Sequence, residues 1–351
     1  MRKPIQIIAI IVVILSILST IISCGIKEYI QSVEFEYVIE ESTNTITITG
    51  IKSDHGTVII PNKIEGYTVT KIADYAFKDN NNIVNLTVPS TISYIGEGAF
   101  YNCARLVFVY NLEDCSELIK IEDSTFCGCS NLYKILLPAK IVSIGDYAFK
   151  SCSNLQELSL PNTVVEIGQS AFDNCQSIKE FVIPEGVTFI KPRTFFACTS
   201  LTKITIPTSV NTISTEVFDY DTSLKEIYVE PNNKKYASVG GVLYSKDITQ
   251  LIHFPSAKEC TTFEVPETVT VIKQCSFALS VNLESLYIPT SVTSLESGIF
   301  IDSSIKNIYF DGTIDEWNRI NKSGIWDTRS PSFIIYCTDG QIAKDGTVTY
   351  K

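Results

Sequence analysis

One phenylalanine recurs along most of this chain, and its spacing limits the fold more than any other feature. It stands at Phe77, Phe100, Phe126, Phe149, Phe172, Phe195, Phe218, Phe277 and Phe300, at intervals of 23, 26, 23, 23, 23, 23, 59 and 23 residues. An aliphatic residue lies five positions before each, from Ile72 to Leu295. Another lies six after most of them, from Ile83 to Leu283; the last copy is one residue short and uses Ile305. Apolar residues follow at plus nine and plus eleven, as at Leu158 and Leu160, and a proline closes most copies, as at Pro161. A unit this short cannot bury its apolar face alone, so the units must stack into one continuous core.

Within each unit the local chemistry divides in two. Plus nine and plus eleven differ by two, the period of a strand with one buried face. Proline ends that strand because it has no N–H for a ladder. The other half, such as "SIGDYAF" at 143–149, is too short for a good helix and carries a glycine. The expected fold is therefore a β-rich leucine-rich-repeat solenoid. It has right-handed coils of about 23 residues, a parallel sheet on one face, an irregular back wall and β caps. About eleven coils at the usual strand spacing of roughly 4.8 Å would make a rod on the order of 50 Å long.

The phrase "SIGDYAFKSCSNLQELSLP" at 143–161 is followed by "EIGQSAFDNCQSIKEFVIP" at 166–184 and "FIKPRTFFACTSLTKITIP" at 189–207. This wording resembles the BspA-like leucine-rich repeat family over about residues 57 to 310. The resemblance implies a surface protein of a host-associated bacterium or parasitic protist, of a kind that includes adhesins.

The ends read differently. "MRKPIQIIAIIVVILSILSTIISCG" has a positive start and an apolar run, the pattern of a secretion signal. Ile21-Ile22-Ser23-Cys24 resembles the bacterial lipobox, which implies cleavage before Cys24 and its lipidation. The run from Ile5 to Ile22 is also just long enough to be an N-terminal transmembrane anchor. The expected organisation is a lipoprotein signal peptide at 1–23, then a tether and N-terminal β cap at 24–68. Repeats follow at 69–310, with a hairpin-like insertion at about 231–258, and a C-terminal cap at 311–351. Trp317 and Trp326 are expected to cover the last coil.

Charge and reactive residues narrow the function. A net charge of −11 argues against nucleic acid, whose phosphates need a basic stripe. There are two histidines, His55 and His253, and eleven cysteines. Cys103, Cys129, Cys152, Cys175 and Cys198 all stand three after the register phenylalanine, so they stack as small buried hydrophobes. Stacked neighbours point in parallel, while a disulfide needs Cβ atoms about 3.8 Å apart. Cys127-Gly128-Cys129 lacks histidine partners for a metal, and Cys260 and His253 are near in sequence only. No nucleophile elbow or phosphate-binding glycine loop is present. No catalytic residue, metal or cofactor is expected.

What remains is a surface. Positions plus eight and plus ten flank the buried strand residues and should face outward. They place Tyr228, Tyr287 and Tyr309 as a stripe on the C-terminal half, with Glu226 beside it and the insertion as a wall. Phe108 and Tyr110 make a second patch. The expected protein is an extracellular, membrane-anchored leucine-rich-repeat binding protein, an adhesin or recognition module held by a lipid anchor. Its ligand would be a protein or glycan on a host or a neighbouring microbe. The alternatives are an envelope spacer without a specific ligand and a glycan-capturing accessory protein.

Overall fold

The computed structural model describes residues 33–52 and 54–351; the expected signal peptide and Cys24 lie outside the described residues. The chain winds into a β-solenoid of about 13 turns, two more than the eleven expected with caps and insertion counted. One row of parallel strands is built from the plus-eight to plus-eleven residues. Asn85–Thr87, Phe108–Tyr110, Lys134–Ile135 and Glu157–Leu158 follow one another in it. After them come Glu180–Val182, Lys203–Ile206 and Glu226–Val229, and later Thr262–Glu264, Ser285–Ile288, Asn307–Phe310 and Ile334–Cys337. Equivalent repeat positions pair, as in Ile204↔Ile227 and Thr205↔Tyr228. A one-residue slip would turn every core side chain outward, so the repeat itself holds the register.

The back wall is mostly turns, as expected, with one regular feature that the sequence did not show. The aliphatic five before each phenylalanine and the residue before it form a second row of two-residue parallel strands, such as Lys120–Ile121, Ser143–Ile144 and Glu166–Ile167. Between this row and the phenylalanine the chain turns through left-handed residues two before and two after it, as at Tyr147 (φ 58°) and Ser151 (φ 59°). Such backbone costs roughly 1 kcal/mol for most L-residues, and the next coil compensates. Tyr147 donates its N–H to Gln169 at 2.9 Å, and Ser151 donates to Asp173 at 2.8 Å. The glycine of "IG" serves close approach. A Cβ on Gly145 would lie 2.6 Å from the Asp123 nitrogen, and one on Gly168 would lie 2.4 Å from that of Asp146.

The phenylalanines fill the centre. Neighbouring rings from Phe77 to Phe195 lie 5.2 to 5.7 Å apart and nearly parallel. Each ring is fully buried or nearly so. The 59-residue gap hides another member. Phe254 packs at 5.2 Å against Phe277, its ring tilted, and donates its N–H to Ser276, as Phe149 does to Ala171. It escaped notice because its strand partner, Leu251, stands three residues before it rather than five; Leu251 pairs with Ile272. The rest of the interruption is an antiparallel meander of Tyr236–Val239, Val242–Ser245 and Gln250–His253.

Both ends are covered. Phe35–Glu40 and Thr45–Ile51 form an antiparallel hairpin whose second strand runs parallel to Tyr67–Ile72. At the other end a short helix, Ile314–Arg319, starts with a capping box of Thr313 and Glu316. Its Trp317 is buried and lies 6.0 Å from Trp326, which meets Phe300 edge-on at 6.2 Å. An antiparallel pair, Ile334–Cys337 with Gly340–Ala343, and then Val348–Tyr350 finish the sheet.

Candidate ligand-binding face

Strand alternation decides what the front row offers to solvent. In Ser285–Ile288 the plus-nine and plus-eleven residues Leu286 and Ile288 are buried, while Ser285 and Tyr287 sit on the outer face. Parallel in-register pairing then stacks equivalent residues. Tyr287 and Tyr309 lie 4.6 Å apart with planes 17° from parallel, and Tyr309 and Tyr336 lie 5.0 Å apart at 16°. The aromatic stack is thus Tyr287–Tyr309–Tyr336. Tyr336 was missed because it lies in the cap, beyond the last register phenylalanine. The signal was there: "FIIYC" at 333–337 repeats the alternation of "NIYF" at 307–310.

Tyr228 is not part of that stack. Glu264 is the residue in register beside Tyr287, and the hairpin tip adjoins the Tyr228 strand, with the Ile227 N–H donated to Gly241 at 2.9 Å. Tyr228 instead has the Lys203 ammonium 5.7 Å from its ring centre, and Lys203 also reaches Glu226 at 3.2 Å. Phe108 and Tyr110 do sit together, 5.7 Å apart, and Tyr133 meets Phe108 edge-on at 6.2 Å. Charged neighbours on the row form ladders, such as Lys134 with Glu157 at 2.7 Å.

The cysteines are structural. Cys129, Cys152 and Cys175 donate their thiols to the carbonyl of the preceding coil's phenylalanine at 3.1 Å, as do Cys103 at 3.0 Å and Cys198 at 3.2 Å. All five are free and buried. Desolvation pushes the Cys103 thiol up to about 12, and Cys129, Cys152 and Cys198 well above the ordinary value, so they stay protonated donors. His253, packed 5.6 Å from Phe218, is lowered to about 4 by desolvation, which keeps it neutral.

A model of the BspA type leucine rich repeat region matches six copies here, over residues 56–140, 119–239 and 252–321. The chain belongs to this family. Among solved structures, a leucine-rich repeat protein from Bacteroides ovatus is 24% identical with a TM-score of 0.63, over 81% of this chain and 71% of that one. A leucine rich cell surface protein from Faecalibacterium prausnitzii is 22% identical with a TM-score of 0.55, over 83% and 97%. The T. pallidum leucine rich repeat protein is 28% identical with a TM-score of 0.50, over 54% and 87%. The first two show the shared fold. No curated protein matches this BspA-type chain significantly. No helix among the described residues is long and apolar enough to cross a membrane.

Proposed function

We infer that this BspA-type protein is a surface recognition module that binds a protein or glycan through its front strand row. The observation that carries the reading is the Tyr287–Tyr309–Tyr336 stack on the outer face. A core does not need these rings, yet they are stacked on one another before any ligand arrives. Pre-ordered aromatic side chains spend little rotamer entropy on binding, and tyrosine combines an apolar ring with a polar tip. Phe108 and Tyr110 form a second contact of the same kind. BspA-type proteins are typically found at the cell surface, and lipidation of Cys24 would hold this one there with its repeats facing outward. The related folds generally serve as binding or scaffold proteins rather than enzymes, which fits a site made of rings and not of reactive groups.

The purified protein applied to a printed glycan array and to immobilised extracellular-matrix proteins tests the reading. The expected result is at least one specific ligand whose binding falls tenfold or more when Tyr287, Tyr309 and Tyr336 are changed together to serine, with the melting temperature little changed. A ligand that binds the triple variant as well as the wild type would remove the face from the account. Binding to nothing would favour a spacer.

A further inference from the structure

The front row is broken in one place where the repeat itself is intact. Glu157–Leu158 pairs back to Lys134–Ile135, and Glu180–Val182 pairs forward to Lys203–Ile206, but no strand pairing joins the two. On the Phe149 side of these coils stacking is kept. Cys175 reaches the Phe149 carbonyl at 3.1 Å, Gly168 donates to Ile144 at 2.8 Å, and the Ser177 hydroxyl donates to Ser153 at 2.7 Å. The opening begins at the front strands and runs into the back row, where Glu166–Ile167 and Phe189–Ile190 do not pair either. It closes where Phe172 donates its N–H to Thr194 at 3.0 Å, and at the front it leaves a slot of about 380 Å³. Leu158 and Leu160 line it and are only partly buried, although Leu86, Val109, Ile135, Ile204 and Ile227, which share the plus-nine position of Leu158, are all buried.

Two residues explain the break. Most coils place Leu, Ile or Val at plus nine, but here Phe181 stands, its ring 5.1 Å from Phe172 and 4.8 Å from Phe195. An oversized side chain in a packed core pushes backbone aside. The other phenylalanine at this position, Phe263, likewise begins a sheet and pairs only with the strand after it. The second residue is Glu180. Parallel pairing would set it beside Glu157, and like charges in register oppose pairing. Elsewhere the same column alternates sign, as in Lys134 with Glu157 and Lys203 with Glu226.

The break exposes two strand edges across an apolar slot. Glu180 and Glu230 line it, neither makes an ion pair among the described residues, and no lysine or arginine is among the lining residues. Val182, 68% exposed, stands at its rim. We propose that this slot is a second binding site that takes an extended peptide of alternating basic and apolar residues from a partner protein. The peptide's main chain completes the hydrogen bonds that Glu157–Leu158 and Glu180–Val182 lack. Its apolar side chains cover Leu158 and Leu160, and its cations meet Glu180 and Glu230. This is strand addition to open sheet edges, where the backbone gives affinity and alternate side chains give choice.

The inference rests on the protein being a recognition module, but its site is separate from the tyrosine stack, so each can fail alone. The probe is a fluorescent eight-residue peptide alternating lysine and valine. A block peptide of four lysines then four valines and an alternating glutamate–valine peptide are the controls. Anisotropy should show the alternating basic peptide binding at least tenfold tighter than either control. Hydrogen exchange should show fast amides at 158–160 and 180–182 in the free protein, slowed by the peptide. Phe181→Leu should close the slot, slow those amides without peptide and weaken binding tenfold or more. Glu180→Lys, a surface change that keeps the core, should weaken binding to the same extent. Equal binding of the block peptide, protection elsewhere, or unchanged binding by Glu180→Lys would overturn the slot, while a glycan or matrix ligand lost on serine substitution of the tyrosines would still stand.

Discussion

Between Phe77 and Phe218 neighbouring ring planes differ by 4° to 15°, whereas between Phe254 and Phe300 they differ by 36° to 40°. The residue type is the same and the burial is the same, so neither sets the geometry. The coil does. In the first region nearly every unit has 23 residues, each backbone repeats the last, and the rings inherit its translation. In the second region the meander delivers the chain to Phe254 by a shorter route. Phe263 then presses on both Phe254 and Phe277, at 5.0 and 6.1 Å, and the rings tilt to make room. The buried apolar residues divide at the same place, into one group ending at Leu243 and another beginning at Val242. Parallel stacking here follows from regular winding.

The largest expected effect comes from removing one ring in each region. Phe149→Ala should cost about 3 to 5 kcal/mol in denaturant unfolding, because a fully buried phenylalanine leaves a cavity. Phe277→Ala should fall in the same range. If parallel stacking contributes beyond area, Phe149→Ala should cost more by about 0.5 to 1.5 kcal/mol. Equal losses would assign everything to burial. A loss under about 1 kcal/mol at Phe149 would mean that the ladder does not carry the core.

Arithmetic on the sequence was enough to find the regular region. Phenylalanine spacing gave the coil, and the plus-nine and plus-eleven residues gave the front strands. It was not enough wherever a residue's role depends on a neighbour in another coil. The back strands are two residues long, too short to show alternation. Phe254 lost its usual aliphatic partner to the meander. Tyr336 lay past the last countable phenylalanine. The break at Phe181 needed a three-dimensional reason, since plus nine tolerates any apolar residue in one dimension and only a smaller one between stacked rings.

The second prediction tests the seam between the two regions. Asp221 takes the ladder position that five coils give to cysteine. One of its carboxylate oxygens accepts the Cys198 N–H at 2.7 Å, and the other is buried without a partner. Desolvation, with Asp219 adding repulsion, raises its pKa well above the ordinary carboxylate value, and Asp219 itself is raised to about 6, mainly by burial. A raised carboxyl favours the folded state fully below the unfolded pKa of about 4, and that advantage is lost as pH rises. Wild-type stability should therefore fall between pH 4 and 7 relative to Asp221→Asn, which keeps the acceptor for Cys198 and cannot ionise. The variant should gain about 1 to 3 kcal/mol at pH 7. Parallel pH profiles for the two proteins would show that the seam holds no strained carboxyl.

The smallest effect concerns the position next to the rings, where the two regions use different atoms. In the regular region the thiol of Cys152 reaches back to the preceding coil, to the Phe126 carbonyl at 3.1 Å. In the tilted region Ser280 bonds instead to the Phe277 carbonyl of its own coil, at 2.6 Å, and the buried Ser303 hydroxyl has no partner. The longer carbon–sulfur bond lets cysteine span the gap between coils, whereas a hydroxyl falls short and folds back. Cys152→Ser should thus lose a bond between coils and cost about 1 kcal/mol. Ser280→Cys should gain somewhat less, because thiol burial adds to the core while the tilted rings give a less regular target. Chemical denaturation of both variants, with the thiols confirmed free by alkylation after unfolding, measures the pair. If Cys152→Ser changes stability by less than about 0.3 kcal/mol, the cysteine column acts by volume alone, and the hydrogen bonds it makes between coils add nothing to what regular winding already supplies.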